Sequence, residues 1–438
     1  MRVKELSVWK VRIPLKKPIQ HASHTRTDTD NLVVRAVLSD GTVGFGEGVP
    51  REYVTGETIE SAVELLKQSD LAAQMEDCPS FKTAVAWVER IRLAPVPGDD
   101  RGCRGNSARC AVELALLDAY GKHYRHSVAD VTRMIAHDDV FEPREYVRYS
   151  GAITSAEGYR AKFAAWKMWI YGFKQLKIKV GIDGQNDVER VGAIRKRVGR
   201  KMDLRIDANE AWTPVTVTER IRELKPFNIS CVEQPVPHQE VAVLAEVRRE
   251  AGVPIMLDES LCSMIDAEHA EENDTCDLFN LRLSKCGGFI ASIRLAQHAR
   301  RHKLGYQLGC QVGETAILSA AGRHFASSVK NLRYVEGSYD RHLVRETLAT
   351  TDLTFGWGGW AKALEGPGLS ITIDPVALQR VSQGTEVLIA HLDGDPDRPV
   401  IVGAVPHAAT PSPVNVGNAT QSVIQTATGI RVEMEDQA

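Results

Sequence analysis

Several features that mark other classes of protein are missing from this sequence of 438 residues. Its 54 basic and 57 acidic residues leave a net charge of −3, so we expect no basic surface for nucleic acid or an anionic membrane. Its apolar stretches are short and interrupted by charges, and the N-terminus, MRVKELSVWK, lacks the apolar segment of a signal peptide. We therefore expect a soluble, cytoplasmic protein that acts on a small molecule and binds neither nucleic acid nor membranes.

Cysteine pairs and nucleotide-binding motifs are missing too. The eight cysteines contain no CxxC pair, which favours reduced, buried thiols over a zinc site or a disulfide scaffold. No strand–helix turn carries GxGxxG or GxxxxGK[ST], so a nucleotide-binding doubly wound sheet has little support. An apolar content of 43% over this length suits one large barrel domain or two to three ordinary domains.

The first part of the chain carries strand patterns followed by helix patterns. KELSVWKVRIPL and NLVVRAVLSDGTVGFGEG alternate with the period of a strand, and the polar stretch Gln20–Asn31 between them is expected to be a mobile loop. Three helical segments are predicted near Thr58–Gln68, Phe81–Arg92 and Ala108–Tyr124. The pattern predicts an α+β unit of about 130 residues.

From Tyr146 onward the pattern changes to short apolar strands that alternate with amphipathic helices. The predicted strands lie in VRYSGAI, FKQLKIKV, DLRIDAN, ISCVEQP, PIMLDES, LFNLRLSKCGG, GYQLGCQVG and NLRYVEG. Eight such repeats are typical of a (β/α)₈ barrel of the TIM type, so the predicted fold class is α/β.

Charged residues recur at the carboxyl ends of five of these strands. From Lys179 to the last of them the spacings are 28, 26, 25 and 27 residues, about one βα repeat each. Each residue alone has an ordinary explanation as a helix cap or an ion-pair partner. Together they converge on one barrel mouth, where burying them is costly unless something binds. The residues are Lys177, Lys179, Asp207, Glu233, Asp258 and Lys285.

Three of these residues are carboxylates, with no cysteine or histidine among them. Asp207, Glu233 and Asp258 offer hard oxygen ligands, which suit Mg²⁺, with Mn²⁺ as the alternative. The sequence therefore predicts a magnesium site at the barrel mouth.

The lysines complete a site for removing a proton α to a carboxylate. Because side chains alternate along a strand, Lys177 and Lys179 are both expected to point into the barrel, while Lys285 comes from across it. Mutual repulsion and the cation are expected to lower a lysine's proton affinity and provide a neutral base. Mg²⁺ would stabilise the resulting enediolate. Two bases either invert the centre, or one base acts while the other ammonium stabilises charge, as in cycloisomerisation or elimination.

These residues resemble the enolase superfamily, and within it the muconate lactonizing enzyme subgroup. The resemblance covers about residues 1–382 and rests on GFGEGVPREYVTGET, then KIK, DAN, VEQP, LDES and SKCGG in barrel order, with EGPGL near the end. It implies an α+β capping domain at 1–135 with a returning segment at about 355–382, and a catalytic barrel at 136–354. Strand seven, QLGCQVGET, lacks the histidine base of other subgroups.

The resemblance also assigns roles to individual residues. It implies Lys179 and Lys285 as the acid/base pair and Lys177 as the group that orients the substrate carboxylate. The metal ligands it implies are Asp207, Glu233 and Asp258, with Asn209 and Glu259 as groups that support them.

Substrate specificity depends on more variable segments. The resemblance implies that Gln20–Asn31, Arg51–Gly56 and Glu336–Asp340 shape the distal pocket, with Tyr53 among its substrate contacts. Dipeptide epimerases of the family share GFGE and VTGET, but many carry Asp-x-Asp on strand eight where this chain reads YVEGSYD. Glu336 or Asp340 is a candidate substitute. His24 and Arg26 either receive a second substrate carboxylate or belong to a solvated loop.

The expected activity is that of an epimerase or racemase acting on a small carboxylate substrate. Muconate cycloisomerisation and syn-elimination of the o-succinylbenzoate synthase type are the alternatives, because the same two lysines serve all three reactions. The protein is expected to form a homo-oligomer.

The C-terminal segment, residues 384–438, does not continue the barrel pattern. GTEVLIAHLDGDPDRPVIVGAV and the residues after it predict short strands with Asp-Gly and Pro turns. The segment resembles a fragment of the VgrG-type spike proteins of type VI secretion, with DGDPDRPVIVGAV as the most specific piece. This resemblance raises a second class of function, a structural or delivery module that carries the barrel as cargo.

Overall fold

A computed structural model describes residues 1–20, 25–383, 386–391, 399–405, 421–425 and 431–435. Its N-terminal part is an antiparallel sheet of β1 (Val3–Gln20), β2 (Thr25–Leu38) and β3 (Val43–Gly48). The helices that follow are α1 (Glu52–Thr55), α2 (Ile59–Gln68), α3 (Phe81–Arg90), α4 (Asn106–Tyr124) and α5 (Asp130–Val140). The three helices predicted from the sequence are α2, α3 and α4, so the predicted α+β unit is confirmed.

The expected mobile loop at Gln20–Asn31 is wrong for most of its length. The strand β1 continues to Gln20 and β2 begins at Thr25, and these two residues are paired across the sheet. Polar residues such as Thr29 and Asn31 misled the prediction, because both are buried in β2. Their side chains hydrogen-bond to one another, which lets polar residues occupy a buried strand.

The barrel consists of eight parallel strands, as predicted. They are β5 (Gly151–Ile153), β6 (Gln175–Lys179), β7 (Asp203–Asp207), β8 (Ile229–Glu233), β9 (Ile255–Leu257), β10 (Leu278–Leu281), β11 (Gly305–Leu308) and β12 (Leu332–Val335). A hydrogen bond from Ser150 N to Val335 O, 2.8 Å long, connects the first strand region to the last. The ring therefore brings all eight carboxyl ends to one face.

Helices follow the strands on the outside of the ring. The first seven are α6 (Gly158–Ile170), α7 (Asp187–Val198), α8 (Val217–Leu224), α9 (Leu244–Ala251), α10 (Met264–Glu272), α11 (Phe289–Arg301) and α12 (Ala316–Ser328). After β12 the chain forms the short α13 (Asp340–Leu343). The last repeat of the predicted (β/α)₈ pattern thus carries one helical turn instead of a full helix.

The first predicted barrel strand, VRYSGAI, is two separate strands. Residues Tyr146–Arg148 form β4, which pairs antiparallel with β13 (Trp360–Lys362) outside the barrel. Barrel pairing starts at Gly151, beside Leu176 of β6. The apolar alternation continues across the break, which is why the sequence pattern did not reveal it.

The segment after the barrel returns to the N-terminal sheet. It contains α14 (Pro375–Val381) and β14 (Ser382–Gln383), and β14 pairs with Lys10 and Val11 of β1. Leu369 N also donates to the buried Asp118 carboxylate on α4, at 2.8 Å. The domain boundaries at 135 and 354 stay predictions.

The glycines of GFGEG allow β3 to pack directly on α4. A Cβ atom at Gly44 would lie 2.2 Å from Ala119 N, and one at Gly46 would lie 2.0 Å from Ala111 O. These distances are shorter than van der Waals contact with backbone atoms that cannot move aside. The alternating glycines therefore set the distance between strand and helix.

Glu47, on the opposite face of β3 from these glycines, joins the capping unit to the barrel. Its carboxylate accepts hydrogen bonds from Thr315 N (2.9 Å), Thr315 Oγ1 (2.8 Å) and Leu318 N (3.0 Å) at the start of α12, and from Asn31 Nδ2 (2.6 Å). Burial raises the pKa of Glu47 to about 7. The side chain caps a barrel helix from a neighbouring structural unit.

We expect Glu47→Ala to lower the free energy of unfolding by at least about 2 kcal/mol, because it leaves several buried donors without an acceptor. Urea unfolding followed by circular dichroism measures the change. The control is Glu60→Ala, at an exposed position on α2. Equal stability of the two variants would contradict the bridging role of Glu47.

The described residues of the C-terminal segment form strands, as predicted. Residues Glu386–His391 (β15) pair antiparallel with Pro399–Val405 (β16), and Gln421–Gln425 (β17) pair with Arg431–Glu435 (β18). The Asp-Gly turn between β15 and β16 lies outside the described residues. The likeness to spike proteins stays a prediction.

Two further expectations concern the whole chain. All eight cysteines are free, seven of them buried and Cys310 half-buried, as expected for small side chains in a large core. In the described ranges, no helix combines the length and the apolar character needed to cross a membrane.

Candidate active site

The charged residues predicted at the strand ends lie at the carboxyl face of the barrel. Lys177 and Lys179 are on β6, while Asp207 and Glu233 are the last residues of β7 and β8. Asp258 follows β9 directly, and Lys285 lies four residues beyond the end of β10. Lys179 is half-buried and the other five are buried.

Lys177 lies among three carboxylates. Its Nζ atom is 3.2 Å from Glu233 Oε1, 3.4 Å from Asp207 Oδ2 and 2.9 Å from Glu336 Oε1. These contacts confirm that the side chain points into the barrel, as strand alternation predicts. They also place Glu336, at the end of β12, beside two predicted metal ligands.

Lys285 lies against Asp258, a different carboxylate of the cluster from those that contact Lys177. Its Nζ atom donates to Asp258 Oδ1 (2.9 Å) and to the carbonyl oxygens of Asp258 (2.6 Å) and Asn280 (2.9 Å). Three acceptors fix the direction of the ammonium group. Lys177 and Lys285 thus contact different carboxylates of the cluster.

Lys179 contacts the cluster through Asn209. Its Nζ atom donates to Asn209 Oδ1 at 2.7 Å, while the backbone N–H of Asn209 donates to Asp207 Oδ1 at 3.1 Å. The Asn209 amide also reaches Glu259 Oε1, at 3.4 Å. The two predicted supporting residues therefore touch each other, and Asn209 connects a predicted base with a predicted metal ligand.

Arg282 and Arg205 are site residues that the sequence analysis missed. Arg282 is buried, pairs with the Asp258 carboxylate and lies 3.6 Å from Glu233 Oε1. Arg205 is buried and pairs with Glu336. The sequence does contain a signal for both arginines. Arg282 lies two residues after Asn280, and Arg205 lies two residues before Asp207, so strand alternation puts each arginine on the same inward face as its neighbour.

Without a bound metal ion, two of the lysines have raised pKa values, and the neutral amine expected beside a cation stays a prediction. Burial alone would lower the pKa of Lys177 and Lys285, but the carboxylates beside them raise both pKa values above the ordinary range. Glu233, Glu336 and Asp207 act on Lys177, and Asp258 acts on Lys285. The sequence argument counted lysine repulsion and a metal ion but not these direct ion pairs.

The pKa values of the carboxylates also depend on burial and on the charges beside each group. Burial, and then the charge of Asp207, raise the pKa of Glu233 to about 7. For Asp258 the Arg282 guanidinium and the Lys285 ammonium outweigh burial and lower the pKa. Burial and the charge of Asp258 raise the pKa of Glu259 well above its usual value. Negative charge is concentrated around Glu233.

The carboxylate cluster fits a divalent cation. Buried Asp207 Oδ2 accepts no hydrogen bond from any described residue, and its nearest positive group is Lys177 Nζ, at 3.4 Å. Burial and the charge of Asp207 raise the pKa of Glu233, and a cation beside these carboxylates would offset that effect. All three predicted ligands supply carboxylate oxygens, the donor type that Mg²⁺ prefers. Protein cations presently connect them in pairs, Lys177 between Asp207 and Glu233 and Arg282 between Glu233 and Asp258.

The predicted substrate-binding residues are not all brought together. Lys177 and Arg205 outweigh burial and lower the pKa of Glu336 to about 2, so its carboxylate is ionised. Asp340 is buried and accepts a hydrogen bond from Ser319 Oγ on α12 at 3.0 Å. Tyr53 lies on α1 and packs on a small cluster that contains Val54 and Cys262.

The structure describes only one of the two predicted substrate-binding residues, Arg26 and His24, in the N-terminal hairpin. Arg26 is half-buried on β2, and its charge adds to burial in lowering the pKa of Arg51 to about 10. Arg51 is buried and donates to Thr29 Oγ1 and Val312 O, both at 2.7 Å, so it connects the capping unit to the β11 end of the barrel. His24 lies outside the described residues.

A narrow cavity adjoins the carboxylate cluster at Glu336. Its wall includes Tyr149, Leu308, Glu314 and Leu318. Glu314 is a further acidic residue that the sequence analysis missed, and burial raises its pKa to about 8. The wall also includes polar groups such as Ser319 and Ser338, and the cavity volume of about 10 Å³ is room for about one water molecule.

Comparisons with known proteins agree with this architecture. Residues 3–132 match the model for the mandelate racemase / muconate lactonizing enzyme N-terminal domain, and residues 160–377 match the model described as enolase C-terminal domain-like. The N-succinyl-L-Arg/Lys racemase of Bacillus cereus is 27% identical over 384 residues, which cover 87% of this chain and 98% of that protein.

Two further relatives are dipeptide epimerases. The L-Ala-D/L-Glu epimerase of Clostridium acetobutylicum is 30% identical over 345 residues, which cover 77% of this chain and 89% of that protein. The crystal structure of a dipeptide epimerase from Enterococcus faecalis V583, complexed with Mg and the dipeptide L-Leu-L-Tyr, has a TM-score of 0.71 and 26% identity. It covers 85% of this chain and 100% of its own. The chain therefore belongs to the mandelate racemase / muconate lactonizing enzyme family of the enolase superfamily.

Proposed function

We propose that this protein is a metal-dependent racemase or epimerase that acts on the α-carbon of an N-acylated amino acid. The observation that carries the proposal is that two lysines, from β6 and from the loop after β10, four strands apart in the ring, contact different carboxylates of one cluster. Lys179 contacts it through Asn209 beside Asp207, and Lys285 contacts it directly at Asp258. Two such groups suit proton removal on one face of a carbon and proton delivery on the other.

The chain's own residues account for the proton transfers. One lysine, as the neutral amine, takes the α-proton, so the C–H bond breaks as an N–H bond forms. The other lysine, as the ammonium, then delivers a proton to the opposite face and becomes neutral. The reverse reaction exchanges their roles. Bound Mg²⁺ supplies positive charge for the substrate carboxylate, with Asp207, Glu233 and Asp258 as its ligands.

The remaining charged groups orient the substrate. Lys177 faces the same cluster, is the positive group nearest to Glu233 and is also paired with Glu336. We assign it to one oxygen of the substrate carboxylate. Glu336 in turn forms ion pairs with both Lys177 and Arg205. Glu336 therefore positions a substrate-binding lysine.

The substrate class follows from what the relatives share. By their names they act on N-succinyl-L-Arg/Lys and on L-Ala-D/L-Glu, all amino acids whose α-nitrogen carries an acyl group. An N-acylated α-amino acid supplies the α-proton and the carboxylate that the site needs. We propose the same class here and leave its side chain to experiment.

A substrate screen tests this proposal. The purified protein with Mg²⁺ is incubated with single enantiomers of N-succinyl and N-acetyl amino acids, with dipeptides and with muconates, and products are separated on a chiral column. We expect racemisation or epimerisation of at least one amino-acid derivative. Muconate cycloisomerisation or syn-elimination without any epimerisation would overturn the proposal.

We also propose a homo-oligomer, with α6 in the interface. This helix exposes Tyr159, Phe163 and Trp169 at 76%, 54% and 54% of their surfaces, and Trp357 and Trp360 are also exposed, at 64% and 47%. Aromatic surface of this extent is typical of interaction sites. Light scattering after gel filtration should show an oligomer that Phe163→Glu combined with Trp169→Glu weakens. An unchanged oligomer would exclude this face.

We place the protein in the cytoplasm because its eight thiols are free. A compartment that keeps thiols reduced suits seven buried cysteines that form no disulfide. The spike-like tail does not change this proposal.

Deleting the residues after Gln383 is expected to leave the barrel folded and the turnover within about twofold of the full chain. Every proposed catalytic residue lies between Lys177 and Lys285, and the cut keeps the pairing of β14 with β1. Thermal unfolding and steady-state kinetics measure both effects. An insoluble or inactive truncation would instead favour a tail that is integral to the assembly.

A further inference from the structure

A second cluster of potential metal ligands lies on the outside of the barrel. Glu271 is near the end of α10, while His298 and His302 are four residues apart at the end of α11. One ligand atom from each of the three residues lies within 4.8 Å of the other two. Four residues make about one helical turn, so both imidazoles lie on the face of α11 next to Glu271.

The three side chains already interact. His302 Nδ1 is 3.1 Å from Glu271 Oε1, and the two imidazole rings stack with centroids 4.5 Å apart. On its other side His298 stacks on Phe279 of β10, at 6.4 Å, which ties this ring to the barrel. The cluster thus has one half-buried ring that stacks on Phe279, one exposed ring and one half-buried carboxylate.

One buried nitrogen atom of the cluster lacks a hydrogen-bond partner among the described residues. It is the Nε2 atom of His298. In a neutral imidazole this nitrogen is either a hydrogen-bond donor or an acceptor. Without a partner, burying it costs free energy in both cases. A bound cation would use the lone pair.

The cluster is separate from the catalytic carboxylates. Barrel helices run antiparallel to the strands, so the carboxyl ends of α10 and α11 lie at the face opposite the strand carboxyl ends. The donor type differs as well. Two imidazoles and one carboxylate suit Zn²⁺ and similar transition metals, whereas Mg²⁺ prefers oxygen ligands alone.

We propose that Glu271, His298 and His302 bind a divalent transition-metal ion, with Zn²⁺ as the best match. Three protein ligands leave a fourth position for water. The ion connects the ends of two neighbouring barrel helices, so its binding stabilises the folded chain. This site does not depend on the proposed catalytic activity.

Calorimetric titration with ZnCl₂ tests the proposal, on the full chain with Mg²⁺ in large excess so that the catalytic carboxylates are occupied. We expect one Zn²⁺ site that His302→Gln and Glu271→Gln each weaken at least tenfold. Both positions are outside the core, so the variants should fold. His269→Gln, on the exposed face of α10, is the matched control and should bind as the unchanged protein does.

Thermal unfolding gives a second, independent readout. Zn²⁺ should raise the unfolding temperature of the unchanged protein and of His269→Gln, but not that of His302→Gln. Either of two results would overturn the proposal: no saturable Zn²⁺ binding in the presence of Mg²⁺, or Zn²⁺ binding that is the same in all four proteins.

Discussion

Replacing Lys179 or Lys285 by alanine is expected to lower kcat for racemisation by about 10²–10⁴-fold, the usual contribution of a positioned acid or base. The two variants should differ in what they retain. With Lys285→Ala, Lys179 still exchanges the α-proton on its own face, so one enantiomer exchanges with solvent although racemisation is lost. Lys179→Ala should retain exchange of the opposite enantiomer. Chiral analysis together with proton NMR in D₂O measures both quantities.

A lysine outside the barrel serves as the control for these variants. Lys174 is exposed immediately before β6, and Lys174→Ala should keep the kcat of the unchanged protein. If Lys285→Ala racemised its substrate at the normal rate, the second base would lie elsewhere, and the two-lysine account would be wrong.

Removing the metal is expected to have a comparable or larger effect. Mg²⁺ held by Asp207, Glu233 and Asp258 would offset charge on the substrate carboxylate and would contribute several kcal/mol, and each 1.36 kcal/mol is worth a factor of ten in rate. We therefore expect chelator-treated protein to lose at least about 10³-fold in kcat, with recovery on adding Mg²⁺ or Mn²⁺. Asp207→Asn should lose activity to a similar degree and should not recover at ordinary Mg²⁺ concentrations.

The same strand provides the control for Asp207. Asp203 is at the other end of β7, away from the carboxylate cluster, and Asp203→Asn should keep both its activity and its response to Mg²⁺. Full activity after exhaustive chelation, confirmed by metal analysis of the treated protein, would contradict the role assigned to Asp207, Glu233 and Asp258.

The sequence could predict the barrel and the positions of the charged strand ends because both follow from local rules. Strand alternation places Lys177 and Lys179 on one face, and a repeat of about 27 residues brings Asp207, Glu233 and Asp258 to one height. Each rule depends on residues close together in the chain. These positions are where the structure has them.

The pairings between distant residues could not be predicted in the same way. The ion pair of Arg205 with Glu336 joins residues 131 positions apart, and Glu47 meets Thr315 across 268 positions. No periodicity in the sequence reports which partners face each other across a barrel or between two units. The raised pKa values of Lys177 and Lys285 in the metal-free site follow from such pairings, which the sequence argument did not include.

The loop expected at Gln20–Asn31 failed for a related reason. Polar residues such as Thr29 and Asn31 indicate a solvated loop when they are judged by composition alone. In the structure they are buried, and Asn31 donates to Glu47 and to Gly313 O of the barrel. Composition reports how polar a segment is but not whether partners elsewhere satisfy it.

Proton exchange at the α-carbon tests the central claim most directly. The unchanged protein with Mg²⁺ is incubated in D₂O with single enantiomers of N-succinyl amino acids and dipeptides, and the products are analysed by NMR and on a chiral column. The account predicts deuterium at the α-carbon together with inversion, for at least one substrate class. Absence of α-proton exchange across the whole set, from protein shown to be folded and loaded with Mg²⁺, would contradict it.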